Sequence, residues 1–224
     1  IRGLFHRAMA LVPNDPATGV MYARFLEEDG EDYHQASELM QEALDQRPKD
    51  PFILTAYAHL LSGAGLTNET SHTRKAVNKR RAGEFYARAA AQWPYSARMH
   101  YNLATYLQTV QRDYDAAALS YQRALDCAPG DANTLYRYAH MLQHFLKDSA
   151  GAEQAYQRCL NIDAAHTDAL ANYGLLLCNA LRRYSSSRRV LTRALELDPE
   201  HADARLGLKF VCLIEEAIRD GRTD

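Results

Sequence analysis

The chain has 224 residues, 47% of them hydrophobic and 24% charged, with a net charge of −2. That balance supplies no global attraction to nucleic acid or anionic lipid, and no apolar run approaches the ~20 residues that a membrane-spanning helix needs. Cys127, Cys159, Cys178 and Cys212 form no CxxC pair, so the expectation is reduced thiols in an intracellular, cytoplasmic setting.

Small residues recur at Ala8, Ala43, Ala89, Ala124, Cys159 and Ala194, at intervals of 35 residues except for one of 46. Five residues after each stands Pro13, Pro48, Pro94, Pro129, Ala164 or Pro199. Three residues before each stands a large apolar side chain: Phe5, Met40, Tyr86, Tyr121, Tyr156 or Leu191. A second register runs through Tyr22, Tyr57, Leu103, Tyr138, Tyr173 and Leu208, followed by Ala23, Ala58, Ala104, Ala139, Gly174 and, out of pattern, Lys209. Leu26, Leu61, Leu107, Leu142, Leu177 and Cys212 come four residues after the first of these. Spacings of three and four place each set on one helical face. A fixed period of this size predicts an all-α solenoid of stacked antiparallel helix pairs around one elongated core.

In chain order, 1–14 reads as a lone helix B (1–11) of a partial repeat. Repeat 1 (15–49) pairs helix A over 16–28 with helix B over 33–46. Its turn carries the acidic run Glu27, Glu28, Asp29, Glu31 and Asp32, read as solvated and repellent to an acidic ligand. Repeat 2 (50–95) has helix A over 50–62, an insertion at about 62–80, and helix B over 72–92. Repeats 3 (96–130), 4 (131–165) and 5 (166–200) pair 96–110 with 114–127, 131–146 with 149–161, and 166–181 with 184–196. The segment 201–224 holds a terminal helix over 201–219. Proline lacks the N–H a helix interior requires, so each helix B stops near its proline. Asp15, Asp50, Ser96, Asp131 and Thr167 stand where they would cap each helix A.

The 46-residue interval inserts eleven residues, and Arg74, Lys75, Lys79, Arg80 and Arg81 make this the most basic stretch. A solvated helix face explains it; a contact for an acidic partner or nucleic acid is the sharper alternative. The ends read as unfinished. Leu4, Phe5, Ala8 and Leu11 need a cover, and Phe210, Val211, Cys212, Leu213 and Ile214 point all round their helix. The last helix is therefore expected to offer an end interface through Phe210, Val211, Leu213 and Ile214, to a second copy, more chain or a partner.

No catalytic set, cofactor or metal is expected. His140 and His144 are i, i+4 on a helix, but HMLQH lacks the glutamate of HExxH and a third ligand, so surface histidines are the plainer reading. There is no phosphate-binding glycine loop. Asn68-Glu69-Thr70 is a glycosylation sequon of the kind that arises by chance. Arg182-Arg183-Tyr184-Ser185 has the look of a kinase site, yet Ser185–Ser187 start a helix where hydroxyls cap N–H groups.

The segments YNLATYL (101–107), DYDAAALSYQRALDCAP (113–129) and SSSRRVLTRALELDP (185–199) resemble the tetratricopeptide repeat (TPR) family, and the likeness extends over nearly the whole chain. It implies a right-handed α-solenoid. The units here are one residue longer than the usual family unit, with the extra residue between helix A's Tyr/Leu and the first alanine of helix B, lengthening helix A or its turn. In the family, the inner faces of the helices A line a concave peptide channel. The resemblance maps that channel onto Arg98, Tyr101, Asn102, Thr105, Asn133, Tyr136, Arg137, His140, Asp168 and Asn172. Asn102, Arg137 and Asn172 hold equivalent places; an amide can donate to and accept from a peptide backbone, and a guanidinium can hold a carboxylate. The clamp with which one TPR subset grips chaperone C-termini is not matched. Its places hold Thr55, His59, Asn102, Asn133 and Arg137, without the lysines.

The expected function is therefore a non-enzymatic scaffold that binds a protein or peptide partner in the groove and docks through its ends, with no membrane insertion. Self-association or a larger complex would run through the C-terminal helix. Two alternatives stand beside it: an RNA-binding helical repeat acting through the basic insert, disfavoured by the net charge, and a regulatory or targeting arm of a larger enzyme or complex.

Overall fold

The computed structural model describes residues 1–13, 15–29, 32–63 and 71–220. Among these residues lie twelve α-helices and no strand. They fall into two compact units, 1–127 and 128–224. The first unit holds α1 (Arg2–Leu11), α2 (Pro16–Asp29), α3 (Tyr33–Gln46), α4 (Pro51–Ser62), α5 (His72–Gln92), α6 (Ala97–Tyr106) and α7 (Tyr114–Cys127). The second holds α8 (Ala132–Met141), α9 (Ser149–Ile162), α10 (Thr167–Asn179), α11 (Tyr184–Leu197) and α12 (Ala202–Arg219). Helices A and B pack as neighbours: α2 on α3, α4 on α5 and α6 on α7, then α8 on α9 and α10 on α11, with α12 against both α10 and α11.

The pairing follows from the small residues. Ala43, Ala89, Ala124, Cys159 and Ala194 are buried, as are Ala23, Ala58, Ala104, Ala139 and Gly174 across from them; Ala8 of α1 is only half-buried. The closest approach is at Gly174, where a Cβ would stand 2.5 Å from Leu191 Cγ. There the Ser187 hydroxyl donates to the Gly174 carbonyl at 2.7 Å. Ser187 thus ties α11 to α10 rather than capping its own helix, and α11 has no side-chain cap at all. In α12 the buried slot falls to Val211 instead of Cys212, while Lys209 stays exposed. Cys159 donates to the Ala132 carbonyl, and burial pushes its thiol up to about 11, as suits a small core hydrophobe.

A further regularity links the end of each helix A to its helix B. Tyr121 and Tyr156 are fully buried, and each hydroxyl donates to a glutamine side chain at 2.8 Å, Gln108 and Gln143 respectively. In repeat 2 the equivalent place to these glutamines is Ser62, which hydrogen-bonds the buried Tyr86. Where the tyrosine is replaced by Met40 or Leu191, the partner position holds Glu27 or Cys178. A buried hydroxyl needs a partner, and the partner is present where the hydroxyl is.

Both glutamines lie in π-helical turns, Leu107–Gln111 and Leu142–Leu146, that close α6 and α8. In repeats 3 and 4 these turns widen the end of helix A. Each wide turn ends on a residue in the left-handed region: Arg112 at φ 60° and Lys147 at φ 58°, with Arg182 at φ 52° ending α10 in the same way. The N–H after each reaches back to the same carbonyl: Asp113 to Leu107, Asp148 to Leu142, and Arg183 to Leu177, at 3.0, 3.0 and 2.8 Å. This is a Schellman-type cap with a basic side chain in place of glycine, in the region where cations complement the helix dipole.

Capping differs in part from expectation. Asp50 and Asp131 cap α4 and α8, and Asp15 binds Thr18 at the start of α2. Ser96 makes no side-chain cap. Not Thr167 but His166 caps α10, its Nδ1 accepting from Ala169 N–H at 3.3 Å, and His201 caps α12 in the same manner. The insertion's second half extends α5, as expected. Asn78 there donates to the Tyr33 hydroxyl at 3.3 Å, and Tyr106 donates to the Lys79 carbonyl. The sequon Asn68-Glu69-Thr70 lies outside the described residues.

A left-handed residue with a side chain is strained by roughly 1 kcal/mol, part of which glycine's unfolded-state freedom takes back. Lys147→Gly should therefore raise the unfolding free energy by about 0.5 kcal/mol in urea titrations, while β-branched Lys147→Val lowers it. A loss of stability in the glycine variant would contradict the assigned cap.

Candidate functional site

Each helix A presents one face at spacings of three and four residues. In the first unit, Val20, Arg24 and Glu27 of α2, Phe52, Thr55, Ala56 and His59 of α4, and Arg98 and Asn102 of α6 meet around a cleft of about 270 Å³, with Tyr86 behind them. Arg98 and Asn102 were expected in the groove. Thr55 and His59 were noted only as clamp positions, and Arg24 and Phe52 were missed. The signal was present: Arg24, His59, Thr105 and His140 occupy one column of the repeat, and Phe52, Arg98, Asn133 and Asp168 another.

The cleft is electropositive. No described residue pairs with Arg24 or Arg98. Glu27, the one acid lining it, is engaged by His59 Nδ1 at 3.0 Å. The hydrogen bond to Glu27 raises the His59 imidazole above its ordinary value, against the opposing effect of partial burial. Glu27 is thus committed to its neighbour. Tyr101 and Thr105 lie beyond the cleft against Tyr121: the rings meet edge to face at 6.0 Å, and the two hydroxyls are 3.5 Å apart.

In the second unit, the expected groove residues form a different surface. Tyr136 is half-buried, with its ring 4.9 Å from that of His166 and 6.5 Å from that of Tyr156. It is as much a packing residue as a contact residue. His140 and His144 lie with ring centroids 4.3 Å apart. Burial, then the neighbouring His144 and Arg137, hold His140 below the ordinary imidazole value. Burial likewise lowers His144, against a hydrogen bond to Asn172 that favours the charged ring. Asn172 donates to its own helix at the Asp168 carbonyl, 2.9 Å away, and Asp168 pairs with His201 at 3.3 Å. Asn133 and Arg137 are exposed. No group of three metal-ligating side chains occurs among the described residues.

Comparison with known proteins matches this arrangement. Residues 132–166 match the tetratricopeptide repeat model. Among solved structures, YrrB, described as a TPR protein with an unusual peptide-binding site, is 17% identical over 92% of this chain and 97% of its own, with a TM-score of 0.64. PilF of Pseudomonas aeruginosa is 17% identical over 92% of this chain and 86% of its own, at 0.70. The first TPR domain of Spaghetti (RPAP3), bound to the HSP90 peptide SRMEEVD, is 21% identical over 54% of this chain and 94% of its own, at 0.51. Residues 132–166 are thus a tetratricopeptide repeat, and the chain has the fold of TPR proteins. No curated protein matches it in sequence.

The other TPR features singled out in the sequence divide. Arg81 reaches inward, donating to Gln41 and to the Tyr57 hydroxyl at 3.3 Å each, and its guanidinium lies 5.4 Å over the Tyr57 ring. It is a packing residue and leaves the basic patch. Arg80 pairs with Glu84 at 3.4 Å, Arg74 is exposed, and Lys75 and Lys79 are half-buried. At the last helix, Val211 is fully buried and Ile214 packs against the core. Only Phe210 and Leu213 of that set face outward. No helix of the described residues is long and apolar enough to cross a membrane.

The His59–Glu27 pair has a defined pH signature. A raised imidazole contributes stability that is complete below the ordinary value of 6.5 and is lost as pH rises through the higher folded value. NMR titration of His59 should give a midpoint above 6.5, and Glu27→Gln should bring it down. The stability difference between the two proteins should be larger at pH 6 than at about pH 8. An unmoved midpoint would contradict the pair.

Proposed function

We propose that this protein is a non-enzymatic scaffold that holds an extended segment of a partner protein along the inner faces of its helices A. The observation that carries the reading is the cleft of the first unit. Two guanidiniums, Arg24 and Arg98, stand without a partner among the described residues beside Asn102 and Thr55, with Glu27 already engaged by His59. Such a site holds a carboxylate by charge-assisted hydrogen bonds while the amide of Asn102 reads the peptide backbone. Phe52 gives the ligand an apolar wall. The HSP90 peptide bound by the RPAP3 domain is itself acidic, which is consistent with this chemistry. The family's lysines are absent, so the carboxylate would be met by arginines from α2 and α6.

Fluorescence polarisation with acidic peptides tests this, comparing a free C-terminal carboxylate with its amide. Each charge-assisted hydrogen bond is worth about 1.5–3 kcal/mol, so Arg24→Ala with Arg98→Ala should weaken binding at least tenfold. The circular dichroism of the variant should be unchanged. Equal affinity of the variant and the unmodified protein would rule out the cleft as the carboxylate site.

A further inference from the structure

The turn between α5 and α6 departs from every other turn of its kind in the chain. It reads Trp93-Pro94-Tyr95, where the equivalent positions are Val12-Pro13-Asn14, Arg47-Pro48-Lys49, Ala128-Pro129-Gly130, Asp163-Ala164-Ala165 and Asp198-Pro199-Glu200, none of them aromatic. Polar or small residues suffice to make this turn, so two aromatic rings are not needed for the fold. Nor are they used by it. Tyr95 is 91% exposed and Trp93, the chain's single tryptophan, 50% exposed. Phe52, 54% exposed, meets Trp93 edge to face at 6.3 Å and continues the aromatic surface. Neither the indole N–H of Trp93 nor the hydroxyl of Tyr95 has a hydrogen-bond partner among the described residues.

Two open clefts flank Tyr95. One, of about 500 Å³, is walled by Trp93, Pro94 and Tyr95. The other, of about 640 Å³, runs from Pro94 and Tyr95 over His100 to Arg123 and Asp126 of α7. His100 is 6% exposed, and its Nε2–H donates to the Pro94 carbonyl at 2.9 Å, which fixes the turn. Its Nδ1 is a buried acceptor with no partner.

We propose that this surface docks a proline-rich segment of a partner protein in the polyproline II conformation. Four features fit that ligand. Stiff aromatic rings with a proline between them give flat apolar faces onto which pyrrolidine rings stack at little cost in entropy. A polyproline II helix makes no internal hydrogen bonds, so its carbonyls are free to accept from the Trp93 N–H and the Tyr95 hydroxyl. Its three-residue turn of about 9 Å sets successive proline pairs on either side of a ridge, which is the role Tyr95 takes between the two clefts. Asp126 and Arg123 at the far wall fix direction by meeting a charged residue beside the proline run. The site stands independently of the carboxylate cleft, although Phe52 borders both.

Trp93 makes the test direct, because all tryptophan emission comes from this surface. The probe is a ten-residue proline peptide with one terminal arginine, against a glycine-serine peptide of equal charge and a single-stranded oligouridylate. The proline peptide should give a saturable shift in Trp93 emission. Tyr95→Ala should weaken it at least tenfold, and Arg98→Ala with Asn102→Ala should leave it unchanged. No saturable change at millimolar peptide overturns the proposal, as does an equal response to the glycine-serine peptide. A stronger response to the oligonucleotide would make the surface a base-stacking platform instead. Loss only in the Arg98/Asn102 variant would return the ligand to the carboxylate cleft.

Discussion

The buried tyrosine hydroxyl is the constraint on which repeats 2, 3 and 4 are built. A tyrosine on helix B fills the space that the small residues leave between helices, but it carries an oxygen into a region with no water. That oxygen must be met. Gln108 and Gln143 meet it from the end of helix A, and Ser62 does so for Tyr86. The glutamines sit in π-helical turns. In repeats 3 and 4 the wide turn, the left-handed basic residue after it and the satisfied hydroxyl occur together. Repeat 5, with Leu191 and Cys178, shows the alternative in which both polar groups are absent together.

The same constraint bears on the inner surface. Glu27 occupies the glutamine position of repeat 1, where Met40 has no hydroxyl to satisfy. Its carboxylate is therefore free to reach His59, and Arg24 and Arg98 of the cleft have no partner among the described residues. Packing in one repeat thus decides the charge presented by the next.

Much of this was legible in the sequence. Period and proline spacing placed the helices within a residue or two, because the small and large residues recur without a gap outside the insertion. The groove columns were legible as well, although they were read only from Arg98 onward; Arg24 and Phe52 belong to the same columns one or two units earlier. What the sequence hid was directional. Arg81 looked like part of a basic run until its guanidinium was seen over the Tyr57 ring. Val211 and Cys212 are adjacent apolar residues, and which one turns inward depends on how α12 rotates against Leu191 and Ala194. Ser187 and His166 exchanged roles with the expected caps because hydroxyls and imidazoles serve either purpose, and only the neighbouring helix decides between them.

A double-mutant cycle on Gln143 and Tyr156 tests the central constraint most directly. Unfolding free energies would be measured for Gln143→Leu, Tyr156→Phe and the pair. An orphaned buried hydroxyl costs about 1–3 kcal/mol, so Gln143→Leu should be the most damaging change. Adding Tyr156→Phe should return much of the loss, with a coupling of about 0.5–3 kcal/mol. Strictly additive losses would show that the tyrosine hydroxyl does not depend on the π-turn glutamine, and the account of repeats 3 and 4 would fail with it.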